Sequence, residues 1–349
     1  YYGMFFQQTE LIQAPELPAT GLSEWCYKWM FRECSGLTAA PDLPATTMAP
    51  QCYGSMFYQC TSLTSVPNLP ATVMEPECYG SMFSGCTSLL SAPDLPATTL
   101  AERCYDYMFA YCTSLSSAPE LPATTLAKYC YSTMFMACTS LVNAPILPAT
   151  SLAEGCYNNM FAGCSGLVNV PKLPATLMSK GCYNYMFAYC SNIKDAPELP
   201  ATTLAVDCYS QMFRGCTSLT NPPALPATKL ENGCYEYMFE GCTSLVNAPV
   251  LPACSLAAYC YYKMFKDCNN LVNAPTLPAT ELEINSYEEM FLNCKKLSDV
   301  KCLATNPSED NCYDWLSGVS STGTFIKSAG VNWIKGVSGI PTGWTVKTE

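Results

Sequence analysis

CYDYMFAYCTSLSSAPELPATTLAKY, residues 104–129, is the stretch that decides the fold, because its pattern recurs in register along most of the chain. Its first cysteine has a counterpart at 26, 52, 78, 130, 156, 182, 208, 234, 260 and 312, and Ser286 fills the one remaining place. Tyr105, Met108 and Phe109 also belong to repeated columns, and a second cysteine follows the first by eight residues. Eleven repeats stand in register behind a partial one. A fixed period of this length is the signature of a repeat architecture.

We number the positions of a repeat from 1 at its first cysteine. Recurring residues occupy positions 1, 2, 5, 6 and 9, whereas positions 3, 4, 7 and 8 vary from repeat to repeat. On a helical wheel of about 100° per residue, the five recurring positions fall on one side. The first third of each repeat therefore predicts a short amphipathic helix with a buried face of cysteine, tyrosine, methionine and phenylalanine.

The second half of each repeat reads Leu-x-x-(Ala/Val)-Pro-x-Leu-Pro-Ala-Thr, as in Leu63–Thr72. Proline cannot continue a helix and favours extended conformations in the residue before it, so we expect this stretch to be extended. One short strand and one short helix per repeat is how leucine-rich solenoids are built, and stacking of neighbouring repeats stabilises them. We therefore predict an α/β solenoid of 26-residue repeats over residues 1–305.

The repeat pattern decays after residue 295, and Leu316 stands where a methionine would be expected. The following segment, GTFIKSAGVNWIKGVSGIPTGWTVKTE, is rich in glycine and contains short alternating runs typical of strands. Solenoid ends expose core side chains unless they are covered. We predict that residues 306–349 form a degenerate last repeat and a small β-rich C-terminal cap.

The motif Met-Phe-x-x-Cys-Thr-Ser-Leu, as in Met56–Leu63, resembles the repeats of BspA-type leucine-rich surface proteins. It also resembles the related Met-Phe-x-x-Cys repeats of bacterial surface lipoproteins. The resemblance covers roughly residues 1–303 and implies a right-handed leucine-rich-repeat-like superhelix on the bacterial cell surface or secreted from the cell. Some members bind matrix proteins or other cells. No binding residue carries over, because the shared motif residues are those of the core.

The 24 cysteines leave two alternatives open. Buried thiols that pack as small hydrophobic groups are favoured over disulfides between neighbouring repeats. If positions 1–9 are helical, the two cysteines of one repeat lie about 12 Å apart, too far to bond to each other. Cys254 and Cys302 fall outside both columns and are the expected reactive thiols. The cysteine spacing follows the repeat period rather than that of a metal cluster, so no metal or cofactor is predicted.

Composition narrows the classes of function. The net charge of −11 argues against nucleic acid and anionic membranes as partners, and no apolar run is long enough to span a membrane. The chain has no histidine, so the commonest general base is missing. Glu288 and Glu289 are adjacent carboxylates that we interpret as a solvated surface. No signal peptide is present, and because the chain begins inside a repeat, we expect residues upstream of Tyr1.

Two sets of side chains are candidates for binding. Position 14 is polar in seven successive repeats, and its interpretation as an amide ladder that stabilises the stack is favoured over a contact surface. Tyrosine and tryptophan at variable positions of the first third suit an interface, although scattered aromatics are also ordinary. The residues are Asn143, Asn169, Asp195, Asn221, Asn247, Asn273 and Asp299 in the first set, and Trp29, Tyr107, Tyr111, Tyr185, Tyr189 and Tyr237 in the second.

These observations favour a non-enzymatic recognition or adhesion solenoid that binds a protein or a glycan through one face. One alternative is a rigid stalk that presents another domain, and a remote one is a carbohydrate-active enzyme built on Asp and Glu. We expect a monomer at the bacterial surface or secreted, with no nucleic-acid partner and no membrane insertion by this segment.

Overall fold

The computed structural model describes residues 1–349, which form two compact halves, Tyr1–Pro174 and Ala175–Glu349. Regular secondary structure is confined to the end of the C-terminal half. None of the helices has the length and apolar character needed to cross a membrane. The elements are β1 (Asp299–Cys302), α1 (Glu309–Cys312), β2 (Gly323–Lys327) and β3 (Trp344–Thr348).

The predicted helix in each repeat is wrong, because positions 1–9 form a chain of tight turns that we call the turn ribbon. Alternate N–H groups bond within the ribbon, three residues back, as from Met108 to the carbonyl of Tyr105 at 3.2 Å. The intervening N–H groups donate to the next repeat, as from Phe109 to the carbonyl of Met134 at 2.9 Å. The C-terminal half shows the same alternation. Backbone hydrogen bonds thus tie neighbouring repeats together.

Every fourth residue of the turn ribbon lies in the left-handed region of backbone conformation. Around the ribbon that begins at Cys104 these residues are Arg103, which is position 26 of the preceding repeat, and Tyr107 and Tyr111 at positions 4 and 8, with φ of 53°, 57° and 63°. A residue with positive φ cannot continue a right-handed α-helix. The ribbon is therefore a distinct structure rather than a distorted helix.

The spacing between repeats explains why the ribbon replaces a helix. The rings of Phe83 and Phe109, which occupy the same position in successive repeats, stack at 5.7 Å between centroids. Packed α-helices need about 8–10 Å between axes, whereas paired extended segments lie about 4.8 Å apart. A ribbon one turn thick can keep close to the spacing of the extended segments, whereas helices would hold the repeats further apart on that side of the stack. Nine residues are also too few for a stable isolated helix.

The proline-containing half of the repeat is extended, as predicted, but it forms isolated parallel bridges rather than full strands. Position 14 bridges between repeats, as in Ala39↔Ser65, and position 22 does so in Val73↔Thr99. Proline has no N–H to donate to a ladder, so the prolines at positions 16 and 19, which lie between the two bridging positions, limit pairing to single residues.

The recurring columns form the core, as predicted. Cys104, Tyr105, Met108, Phe109 and Cys112 are each at most 1% exposed, and their counterparts in the other complete repeats are buried to a similar extent, except for Cys26, which is partly exposed. Full burial of one such large apolar side chain stabilises the fold by about 1.5–3 kcal/mol. Because each ring also stacks on its neighbours in the column, the columns leave little freedom for substitution.

The C-terminal end carries the predicted β-rich structure. Strands β1, β2 and β3 form a parallel sheet in that order, with Phe325 in register with Val300 and Val346. Trp315 is fully buried, stacks on Tyr287 at 6.1 Å, and donates its indole N–H to the Gly339 carbonyl at 2.8 Å. The final segment thereby covers the last ring of the tyrosine column.

Candidate functional site

The outward side chains of the turn ribbon form the candidate binding surface. We call this surface, made by positions 3, 4, 7, 8 and 26, the ribbon face. Three predicted aromatics are well exposed on it: Tyr107 at 42%, Tyr111 at 45% and Tyr189 at 52%. The other three, Trp29, Tyr185 and Tyr237, are half-buried. All six of these aromatics stand at positions 4 or 8, where the backbone has positive φ.

In the C-terminal half, cations connect the tyrosines into a cluster. The Arg214 guanidinium lies 6.0 Å from the ring centroid of Tyr189 and 5.1 Å from that of Tyr237. Lys263 lies 5.5 Å from Tyr237 and 4.6 Å from Tyr262. We call these five residues the tyrosine–arginine cluster. The sequence analysis found Tyr189 and Tyr237 but missed the cations and Tyr262.

The cations of the cluster are held by carboxylates and an amide. Arg214 Nε lies 2.6 Å from Glu240 Oε2, at an angle that makes an ion pair rather than a hydrogen bond. Arg214 Nη1 donates to Gln211 Oε1 at 2.8 Å. Lys263 Nζ lies 3.3 Å from Glu289, so that carboxylate is paired and not simply solvated as predicted. Charge in the cluster is largely neutralised in place.

Two further carboxylates lie beside the cluster around Gly233. The Asp207 carboxylate covers Gly233 so closely that a Cβ there would collide with it, and Glu236 Oε2 is 3.4 Å from the same point. Burial, and then the nearby Asp207, raise the pKa of Glu236 to about 6. Burial also raises the pKa of Asp207. Uncharged or hydrogen-bonding groups are therefore favoured at this edge over further negative charge.

The N-terminal half has its own aromatic and cationic contacts. Arg32 lies over Trp29 at 5.4 Å and over Tyr58 at 4.2 Å, and Lys28 lies over Trp29 at 5.7 Å. Tyr2 packs against Trp29 at 5.1 Å. Trp29 is therefore partly covered by its neighbours, which makes it a weaker candidate than the sequence indicated.

The polar column forms three hydrogen-bonded pairs between neighbouring repeats, which confirms the predicted amide ladder only in part. Asn169 Nδ2 donates to Asn143 Oδ1 at 2.6 Å, and Asn273 Nδ2 donates to Asn247 Oδ1 at the same distance. Asn221 and Asp195 make the equivalent bond, at 2.5 Å. All seven side chains of the column are exposed. The column lies in the extended segment rather than in the turn ribbon, and its role in binding stays a prediction.

The cysteine columns make hydrogen bonds inside the core. At position 9 the thiol donates to the carbonyl of a phenylalanine in the preceding repeat, as from Cys86 to Phe57 at 3.1 Å. The structure contains no disulfide bond. Because the segment is not helical, the distance argument against a bond within one repeat does not apply. Cys302 is fully buried, and burial raises its pKa to about 12, so the prediction that it is reactive is wrong. Cys254 is exposed, as expected.

A family comparison decides what kind of repeat this is. The family model described as the BspA-type leucine-rich repeat region matches in six copies, over residues 28–168, 154–247 and 209–313. The chain belongs to the BspA-type leucine-rich repeat family. This family implies a solenoid, and it is associated with surface adhesion and recognition proteins. Among curated proteins, a sequence search finds no match.

Two cavities of this BspA-type chain lie among the extended segments, outside the turn ribbon. One, of about 390 Å³, lies between Pro223, Pro226, Pro249 and Pro252 beside Val250. Another, of about 600 Å³, is lined by Gln13, Glu16 and Asp42 among prolines and alanines. No cluster of three or more cysteine or acidic side chains is placed to hold a metal ion. The walls of these two cavities carry no nucleophile paired with a base.

Proposed function

We propose that this protein is a non-enzymatic recognition or adhesion module that binds a protein or glycan partner through the ribbon face. The observation that carries the proposal is the division between two sets of positions. Inward columns repeat the same residues and are buried, whereas the ribbon face changes from repeat to repeat and presents aromatic rings beside cations.

The chemistry of the ribbon face supports a macromolecular partner. Tyrosine, tryptophan and arginine are the residues most enriched where binding energy concentrates in interfaces. A surface substitution away from packed features usually changes stability by no more than about 0.5 kcal/mol. The exposed members of the ribbon face, such as Tyr107 and Tyr189, can therefore diverge between repeats without loss of the fold, which is what specific recognition requires.

The proposal also covers the handedness of the solenoid, the location of the protein and the source of its partner. A right-handed winding of 26-residue repeats follows from the family resemblance, as does a place on the bacterial surface or outside the cell. The net charge of −11 disfavours nucleic acid. We propose that the chain acts as a monomer, with the partner supplied by another cell or by extracellular material.

A binding screen with matched variants tests this proposal. The intact chain is presented to a glycan array and to a panel of extracellular matrix proteins. The double variant Tyr107→Ser/Tyr189→Ser is compared with Ile146→Ser, which removes an exposed apolar side chain, 80% exposed, in the extended segment instead. We expect the ribbon-face variant to lose binding and the control to keep it. The absence of any partner, or equal binding by both variants, would refute the proposal.

A rigid stalk is the second candidate, and the backbone hydrogen bonds between successive repeats favour it. In the N-terminal half, Tyr105, Tyr107 and Phe109 each donate an N–H to the following repeat. Such a ladder resists bending without any need for a partner. A stalk would retain nothing in the screen described above, which separates the two candidates.

A further inference from the structure

The tyrosine–arginine cluster has an open aromatic ring held against the backbone. Two ring carbons of Tyr189, Cδ1 and Cε1, lie 2.6 and 3.0 Å from the point where a Cβ on Gly215 would stand. Gly215 has φ of +70°, so both its conformation and the space above it suit glycine. Tyr189 as a whole residue is nevertheless 52% exposed. Tyr189 is therefore packed on one side and open to solvent on the rest of its surface.

Arg214 lies close to both this ring and the ring of Tyr237, the next tyrosine of the cluster. Tyr189 and Tyr237 belong to repeats that are separated by one intervening repeat, and Arg214 comes from that repeat. Because Glu240 and Gln211 hold the guanidinium from two sides, its place between the two rings is defined before any ligand arrives. Two aromatic surfaces with a fixed hydrogen-bond donor between them form a preorganised surface.

Charge decides which partner suits the cluster. The cations Arg214 and Lys263 are already paired with Glu240 and Glu289, and Asp207 and Glu236 add further carboxylates at the edge, so an anionic ligand would meet repulsion. A cationic ligand would lie beside Arg214 and Lys263, which carry the same charge, and would be repelled by them. What remains is a ligand without charge that has both apolar C–H surface and hydroxyl groups.

We propose that the tyrosine–arginine cluster is a binding site for an uncharged oligosaccharide. The C–H face of one pyranose ring packs on Tyr189, a second lies at Tyr237, and Arg214, Gln211 and Glu236 hydrogen-bond the hydroxyl groups between them. This inference rests on the proposed recognition function, and it names a partner class and a site for it.

Binding measurements with neutral oligosaccharides test the site. The intact chain is titrated with soluble oligosaccharides of glucose, galactose, mannose and N-acetylglucosamine. We expect at least one series to bind, and Tyr189→Ala and Tyr237→Ala each to weaken that binding at least tenfold. Tyr189→Phe, which keeps the ring, and Ile146→Ser, which changes an exposed side chain of the extended segment, should bind nearly as the unaltered chain does. Thermal unfolding of each variant checks that it is folded.

The outcomes separate this site from the wider proposal. Failure of every neutral oligosaccharide to bind, binding only of sulfated or sialylated glycans, or neutral binding that Tyr189→Ala leaves unchanged would each overturn the site. In the first two cases the recognition function would survive if the matrix-protein panel or the charged glycans are retained. It would fail together with the site only if nothing at all is bound.

Discussion

At the scale of single residues, the repeat depends on backbone conformations that most side chains avoid. Residues with positive φ recur at positions 4, 8 and 26, and tyrosine occupies seven of these places and glutamine four. The left-handed conformation costs roughly 1–2 kcal/mol for a residue with a Cβ. Hydrogen bonds between the N–H of each such residue and the next repeat offset that cost, as at Thr133, whose N–H lies 2.7 Å from the Asn158 carbonyl.

Gly163 allows the stability cost of the left-handed backbone conformation to be measured separately from side-chain packing. It has φ of +74°, and a Cβ there would meet nothing nearer than 3.7 Å, so added bulk fits. We expect Gly163→Ala to lower the free energy of unfolding by about 1 kcal/mol, and Gly163→Asn by less, because asparagine tolerates this conformation. Urea denaturation measures both. Equal stability of the glycine and alanine proteins would show that the left-handed conformation is not required there.

Asp106 makes stability depend on pH. Its carboxylate pairs with Arg103 at 2.9 Å, yet burial raises its pKa from 3.8 to about 6. The folded chain therefore binds a proton in a pH range where the unfolded chain does not, and its stability increases as the pH falls from 7 toward 4. We expect Asp106→Asn to reduce this increase and to stabilise the protein at pH 7 by about 1 kcal/mol.

Urea denaturation at pH 5 and pH 7 measures the effect of Asp106, with Glu120→Gln as the control because Glu120 is exposed. If Asp106→Asn and the unaltered chain gained the same stability between pH 7 and pH 5, the burial of Asp106 would not be the cause.

At the scale of elements, the sequence predicted the buried face of the first third of each repeat but not its conformation. Positions 1, 2, 5, 6 and 9 lie on one side of a period of 3.6 and also of a period of 4, and over nine residues the two are indistinguishable. Glycine at position 8, as in Gly85, Gly163, Gly215 and Gly241, was the available sign against a helix. The narrow spacing expected between the extended segments was a second sign against a helix.

The candidate site was predicted in part. Tyr189 was found because aromatic residues at variable positions stand out in the repeat pattern. Arg214 and Lys263 were missed because a cation at one variable position gains meaning only when the neighbouring repeat is placed beside it. Contacts between repeats combine residues about 26 apart, and no spacing rule within one repeat reveals them.

The burial of the cysteine columns predicts how quickly each thiol of the chain reacts with an alkylating reagent. Of the 24 cysteines only Cys254 is exposed and Cys26 partly exposed, and burial raises the pKa of column thiols such as Cys112 to about 12. Because the thiolate is the reactive form, we expect iodoacetamide to label Cys254 quickly, Cys26 slowly, and the buried columns only after denaturation.

Intact mass measures this labelling, and Cys254→Ser should abolish the fast event. Incomplete labelling in denaturant without a reductant would reveal disulfides that the structure does not contain. Rapid labelling of several column thiols in the native protein would show that the columns are not packed as described.

At the scale of the whole molecule, each compact half is built in the same way. Buried columns and backbone hydrogen bonds join one repeat to the next, and the ribbon face is left free to differ. This division is how a BspA-type repeat can combine a strongly constrained core with a surface suited to recognition. It depends on the turn ribbon, because helices of the usual width would separate the columns and break the hydrogen bonds between repeats.

Far-UV circular dichroism of the intact chain tests that dependence most directly. The turn ribbon has no α-helix, and α1 (Glu309–Cys312) is the one α-helix of the chain. The spectrum should therefore lack the double minimum of helical proteins, while the near-UV signal of the stacked tyrosines confirms that the sample is folded. A strong helical double minimum that disappears together with the tyrosine signal on heating would contradict the account.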